Sequence, residues 1–171
     1  KQLQLAREVQ YRLFPDKPPI IPGYDAAGIC IPAEEIGGDY FDLIKLARGR
    51  LGAAVADVSG HGIAPALVMT SFRGLLRMHT HGQLDPARIA RAINRLLPEF
   101  TANDYFITAV YAVLDPVSHT LEYVCCGNPP PLHLHANTRP EILKVHGPAL
   151  GVFRRVGYTA QKVVMQSGDM A

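Results

Sequence analysis

Glu35-Ile36-Gly37-Gly38-Asp39-Tyr40-Phe41-Asp42 and, after a short basic turn, Ala56-Asp57-Val58-Ser59-Gly60-His61-Gly62 are the segments that decide the fold. Each sets one aspartate beside glycines, where backbone can approach a ligand closely and no bulky neighbour shields the carboxylate. Residues 40–46 and 51–58 are rich in apolar and β-branched side chains, which predicts two strands of a hairpin turning around Ala47-Arg48-Gly49-Arg50. A four-residue loop pairs Leu46 with Leu51 and sets Asp39 opposite Val58, whereas a three-residue loop sets Asp39 opposite Asp57. In either register the two aspartates meet.

Two carboxylates held close in a dry site repel each other, so the pair requires a cation or a raised pKa. Oxygen-only ligands favour Mg2+ or Mn2+ over zinc. His61 sits beside this loop, where it is placed either to give a proton to a leaving group or simply to pack the loop. Asp42, three residues beyond Asp39, falls on the opposite face of a regular strand. Glu34 and Glu35 read as a solvated loop, with an alternative role as bases behind the metal site.

Gly62-Ile63-Ala64-Pro65 opens a long apolar-periodic helix that runs to about His79-Thr80-His81, where a cationic end suits the helix dipole. Asp85-Pro86 starts another, with Asp85 as N-cap and Ile89, Ala92, Ile93, Leu96 and Leu97 on one face. Residues 24–32, 105–114, 120–126, 132–135 and 158–165 read as further strands. Helices inserted among antiparallel strands predict an α+β fold, a layered α/β/β/α sandwich of two antiparallel sheets flanked by helices. Residues 1–14 have a helical pattern, with Leu3, Leu5, Ala6, Val9 and Leu13 supplying apolar contacts and Pro15 ending the run. That helix is either a connection from an upstream domain or an ordinary packed first helix. Residues 1–15 are accordingly set apart as a linker or regulatory helix, and residues 16–171 as most of one domain.

The 171 residues suffice for one core, and a net charge of +2 with mixed signs gives no basic field for nucleic acid or anionic membrane. No apolar run approaches the ~20 residues of a membrane span, which predicts a cytoplasmic protein without direct membrane insertion. Cys30, Cys125 and Cys126 are odd in number and form no CxxC pattern, so they read as free thiols, with the adjacent pair pointing to opposite faces. His133-x-His135 shares one strand face but has no orienting carboxylate nearby in sequence, and reads as a solvated strand edge rather than a metal site.

The GGDYFD and ADVSGHG segments, together with Gly127-Asn128-Pro129-Pro130-Pro131-Leu132, resemble the metal-dependent serine/threonine protein phosphatases. The resemblance is to the bacterial branch typified by stage II sporulation protein E and the sigma-factor-regulator phosphatases. It extends over Ala6-Arg7-Glu8-Val9-Gln10, Leu13-Phe14-Pro15, Ile31-Pro32-Ala33 and Pro148-Ala149-Leu150-Gly151-Val152. It implies that Asp39, Asp57 and the backbone carbonyl of Val58 are ligands of a centre holding two Mn2+ or Mg2+ ions. It also implies further aspartates in Thr-Asp-Gly and Asp-Asp segments. The chain stops at Gly168-Asp169-Met170-Ala171, which looks like the lead-in to the first of these, so a C-terminally truncated domain with uncertain activity is expected. Asn128 stands where the family pattern commonly has histidine. The implied substrate is a phosphorylated anti-anti-sigma-type protein, with an upstream sensor or receiver domain and a homodimer through the first helix as further expectations.

Two other functions compete. The Gly37-Gly38-Asp39 run superficially resembles the diguanylate cyclase signature, but that signature lies in a hairpin turn and these glycines precede a strand. A module that docks a phosphoprotein without hydrolysing it is the alternative from a different class.

Overall fold

The computed structural model describes residues 2–31, 35–101, 104–136, 139–144 and 147–171. Strands β1 (Tyr40–Lys45), β2 (Leu51–Val58), β3 (Ile107–Asp115), β4 (Thr120–Cys126) and β7 (Gln161–Val164) form one antiparallel sheet in the order β1-β2-β3-β4-β7. Strands β5 (Leu132–His133) and β6 (Glu141–Ile142) form a second, two-stranded antiparallel sheet. With helices α1 (Gln2–Tyr11), α2 (Ile63–Thr80) and α3 (Pro86–Leu96), the fold is α+β, as the pattern of elements predicts.

The hairpin takes the tighter of its two possible registers. Lys45 pairs with Leu51 and Tyr40 with Ala56, and Leu46 N–H donates to the Arg50 carbonyl at 2.9 Å. This three-residue turn, Ala47–Gly49, requires positive φ at two residues; Gly49 accepts it at φ 71° without steric cost and Arg48 adopts φ 60°.

One face of the large sheet is covered by α2 and α3. Tyr40, Ile44, Ala54, Ala56, Val58, Ile107, Ala109, Tyr111, Val124 and Cys126 meet Met69, Phe72, Leu76, Ile89, Ile93 and Leu97 in the main core. Apolar side chains at helical spacing make this possible. α3 begins as expected, since the Asp85 carboxylate accepts from Ala87 N–H at 2.8 Å and Arg88 N–H at 3.1 Å with Pro86 in the first turn. On the other face smaller clusters form. Leu143 packs with Ala112 and Tyr123, and Ile21 and Met165 pack with Leu51 and Leu114.

Several expectations need correction. Residues 25–31 form no strand; a single bridge joins Ile21 and Tyr24. Apolar content alone does not make a strand without a neighbour to take its backbone groups. α1 ends at Tyr11 rather than residue 14, with Leu13 N–H turning back to the Gln10 carbonyl at 2.9 Å. Its apolar residues do not pack either: Leu3, Leu5 and Val9 are exposed, and Gln10 is the one residue of the helix that is buried. Pro32 and Ala33 lie outside the described residues. The three cysteines are free, with Cys125 and Cys126 buried and only Cys126 in the helix-facing core.

Candidate metal centre

Asp39 immediately precedes β1 and Asp57 is the penultimate residue of β2. The register through Tyr40–Ala56 continues to place Asp39 opposite Asp57, and Val58 N–H donates to the Gly38 carbonyl at 3.3 Å one step further on. Strand alternation puts both aspartates on the face of the sheet away from α2 and α3. Asp42 falls on the helix-facing side, as its spacing predicts.

The glycine before Asp39 is there for close approach. A Cβ on Gly38 would stand 2.6 Å from the Val58 carbonyl oxygen, closer than side chains approach backbone, and 3.0 Å from the Val58 Cβ. Gly38 therefore lets the two carboxylate-bearing segments lie against each other.

Both aspartates are exposed, so the expectation of a dry site is corrected to an open one at the sheet's end. The Asp57 carboxyl group is nevertheless partly shielded. That shielding first, and the Asp39 charge second, raise its pKa above the ordinary aspartate value. Cys30 also feels the Asp39 charge: burial first and Asp39 second push its thiol pKa up.

The neighbouring strand β3 adds a group that the sequence did not single out. Thr108 pairs with Asp57 across β2 and β3, and its hydroxyl donates to Asn128 Oδ1 at 3.1 Å with the Asp57 carbonyl oxygen 3.5 Å away. Asn128 is thereby tied to the aspartate strand. Its loop is set by Gly127, at φ 72°, where a Cβ would lie 2.7 Å from Ala149 N. The only available signal was a polar threonine in the otherwise apolar run Ile107-Thr108-Ala109-Val110.

Gln10 is the second unforeseen group. Its amide donates to the Gly37 carbonyl at 2.8 Å and accepts from Gly37 N–H at 3.2 Å, clamping α1 to the glycine pair before Asp39. Phe14 stacks on Phe41 with centroids 5.5 Å apart, so the chain after α1 also packs against β1.

His61 is exposed in the loop between β2 and α2, next to the α2 N-cap Gly62. Glu35 is exposed, and Glu34 lies outside the described residues. Asp42 is fully buried, where Arg77 donates to both of its oxygens at 2.7 and 2.8 Å and the Tyr40 hydroxyl donates as well. It therefore serves the β1–α2 interface. The expected solvated edge at His133 is also corrected, because this ring is 2% exposed. Across the sheet from β5, Glu141 and Asp169 supply the carboxylates that sequence neighbours lacked.

The donor set of two carboxylates and a backbone carbonyl suits a hard divalent cation with water completing its shell. The Gly37-Gly38 pair stands before β1, while the hairpin turns at Ala47–Gly49, an arrangement unlike the cyclase signature.

The chain resembles two curated proteins of Bacillus subtilis along most of its length. It is 27% identical over 171 residues to the phosphoserine phosphatase RsbU, covering 99% of this chain and 50% of RsbU. It is 26% identical over 172 residues to the phosphoserine phosphatase RsbP, covering 95% of this chain and 41% of that protein. The chain thus spans half or less of the length of these relatives. Among solved structures, the RsbU and RsbW domains of Rv1364c from Mycobacterium tuberculosis align at a TM-score of 0.71 and 28% identity, over 81% of this chain and 38% of that one. The SiaA-PP2C domain of Pseudomonas aeruginosa aligns at a TM-score of 0.77 and 19% identity, over 98% of this chain and 68% of that one, and shows the same fold. The family model of stage II sporulation protein E matches residues 47–171. Because that match takes in Asp57, α2, α3 and every later strand, the chain belongs to the stage II sporulation protein E family.

Proposed function

We propose that this chain is the phosphatase domain of a protein that hydrolyses phosphoserine or phosphothreonine on a partner protein. The observation that carries the reading is the pairing of Asp39 with Asp57 across one hairpin, closed by Gly38. Asp39, Asp57 and the Val58 carbonyl are the groups that would hold Mn2+ or Mg2+, two ions in a complete domain. Such ions, when bound, activate water and neutralise phosphate oxygens. Asp39 and Asp57 would hold a cation at the open end of the sheet, where both carboxylates are exposed to an entering phosphorylated side chain of another protein. Water adds to phosphorus, the ester P–O bond breaks, and the leaving serine or threonine oxygen takes a proton. His61, exposed in the loop that follows β2, is the proposed donor of that proton.

The partner is proposed to be a phosphorylated anti-anti-sigma-type regulator. The likeness to RsbU and RsbP supports this, as does the solved structure containing RsbU and RsbW domains. The exposed apolar residues of α1 support homodimerisation through that helix, with an upstream sensor or receiver domain acting through it. No helix among the described residues is long and apolar enough to cross a membrane, in keeping with the proposed cytoplasmic location.

The test is dephosphorylation of a phosphoserine regulator by the full-length protein in limiting Mn2+. Asp57→Asn removes an anionic ligand at nearly constant volume. It should lower the rate by ~10²-fold or more, the scale of losing one electrostatic stabiliser. An unchanged rate in a folded variant would remove Asp57 from the proposed centre. A full-length wild-type protein that binds the phosphoprotein but never releases phosphate would favour the docking module instead.

A further inference from the structure

The short strand β5 lies between two partners, and both contribute acids to the face that carries its histidines. On one side His133 pairs with Glu141 of β6. On the other, Leu134 bridges Met170 in antiparallel fashion, with Leu134 N–H donating to the Met170 carbonyl at 2.7 Å and Met170 N–H returning to the Leu134 carbonyl at 2.8 Å. Alternation puts His133 and His135 on the same face of β5. The antiparallel bridge then brings Asp169 opposite His135, so four potential ligand side chains from three separate segments converge.

Their geometry is already close to that of a coordination shell. One ligand atom each from His133, His135 and Glu141 lie within 4.8 Å of one another. His135 Nε2 stands 3.7 Å from Glu141 Oε2, and its Nδ1 stands 3.6 Å from Asp169 Oδ2. His133 Nε2 is 2.9 Å from the same Asp169 oxygen, with both side chains almost wholly buried, and the two imidazole centroids are 3.9 Å apart. In a tetrahedral zinc site, bonds of ~2.0–2.1 Å separate neighbouring ligand atoms by roughly 3.3 Å. Small side-chain adjustments reach that spacing.

Asp169 is itself held in place. Gln166 N–H donates to Oδ2 at 3.0 Å and Ala136 N–H to Oδ1 at 3.2 Å. A fixed carboxylate against the ring nitrogens is the arrangement that orients metal-ligating histidines.

We propose that His133, His135 and Glu141 form a zinc site, with Asp169 orienting the imidazoles, and that the ion clamps β5, β6 and the 166–170 segment together. The mixed nitrogen and oxygen donors select Zn2+, whereas the all-oxygen Asp39–Asp57 pair selects Mg2+ or Mn2+. The two sites share no residue, and the zinc site does not depend on the phosphatase reading. Glu141, which is exposed, faces the side from which the ion enters, and water completes the shell.

Calorimetric titration with Zn2+ tests this on the chain carrying Asp39→Asn and Asp57→Asn, which removes the other centre. Binding of one ion per chain is expected, with a rise in Tm; Co2+ in its place should give the visible absorption bands of a tetrahedral nitrogen–oxygen site. His135 and Glu141 are peripheral enough to replace without unfolding. His135→Ala should abolish the Co2+ spectrum, Glu141→Gln should weaken zinc binding at least 10-fold, and Asp169→Asn should weaken it by roughly 10–100-fold. If folded His135→Ala and Glu141→Gln variants bind Zn2+ as tightly as their parent, the cluster is only a buried His133–Asp169 hydrogen-bonded pair and the proposal is wrong. Loss of zinc binding on replacing Asp39 and Asp57 alone would overturn it equally.

Discussion

Asp57 is a residue whose environment opposes its own charge. Its pKa is raised in the folded chain, by shielding and by Asp39, relative to the unfolded aspartate value of 3.8. The native state therefore holds this proton more tightly than the unfolded state does. As pH climbs from about that unfolded value through the folded one, metal-free stability falls, and at neutral pH the whole penalty is present. Asp57→Asn abolishes the penalty. The metal-free variant should melt slightly higher than wild type at pH 7, with the difference vanishing in acid below the unfolded pKa, while added Mn2+ should raise Tm in wild type more than in the variant. Thermal melts across pH, with and without Mn2+, check both arms. A variant that melts lower than wild type at pH 7 without metal would contradict the electrostatic account. Gly38 shows the same site at its tightest, because the contact with Val58 leaves no space for a methyl group.

At the scale of elements, the β1–α2 interface rests on one buried acid. Asp42 accepts both Arg77 bonds, a bond from the Tyr40 hydroxyl and one from Leu43 N–H at 2.9 Å. These bonds satisfy both carboxylate oxygens, and the Tyr40 ring packs edge-on against Phe72 of α2 at 5.9 Å. Arg77→Leu leaves that buried charge without its cation. Because the Arg77 side chain is itself 40% exposed, the expected cost is about 2 kcal/mol, less than for a wholly buried pair. That corresponds to a Tm lower by roughly 4–8 °C at this chain length. Adding Asp42→Asn should recover part of the loss, since the stranded charge is gone. Denaturant and thermal unfolding of the single and double variants measure it, and a double variant less stable than the sum of the singles would refute the pairing. α1 is attached differently. Its only buried residue is Gln10, whose two bonds to Gly37 make the helix a neighbour of the metal loop without making it part of the core.

At the scale of the whole molecule, α1 leaves Leu3, Leu5, Val9 and Tyr11 uncovered. Leu5 and Val9 are 62% and 57% exposed and stand four positions apart, on one face of the helix. A ten-residue helix with a single buried residue is marginal on its own, so pairing with a second copy would supply the packing it lacks. Light scattering coupled to size exclusion should find a dimer that Leu5→Glu with Val9→Glu converts to monomer. A wild-type chain that stays monomeric at high concentration would rule out α1 as the dimer contact. Loss of the dimer should leave the Asp39–Asp57 pair intact, because the Gln10 clamp is made within one chain.

What the sequence determined alone was whatever depends on near neighbours. Alternation and turn residues marked the β1–β2 hairpin, Asp85-Pro86 marked the start of α3, and the apolar runs of β3 and β4 marked two central strands; each signal acts within a few residues of itself. The meeting of Asp39 and Asp57 was legible for the same reason, since a short hairpin joins them. Choosing between the two registers required the folded turn, because Arg48 had to accept positive φ beside Gly49. The remaining contacts join residues far apart in the chain. Gln10 meets Gly37 across 27 positions, Thr108 meets Asn128 across 20, Asp42 meets Arg77 across 35 and His133 meets Asp169 across 36. Periodicity carries no information about such pairs. Whether His133 faces water or a carboxylate depends on which strands flank β5, and that was decided only when packing and backbone pairing brought Glu141 and Asp169 to either side of it.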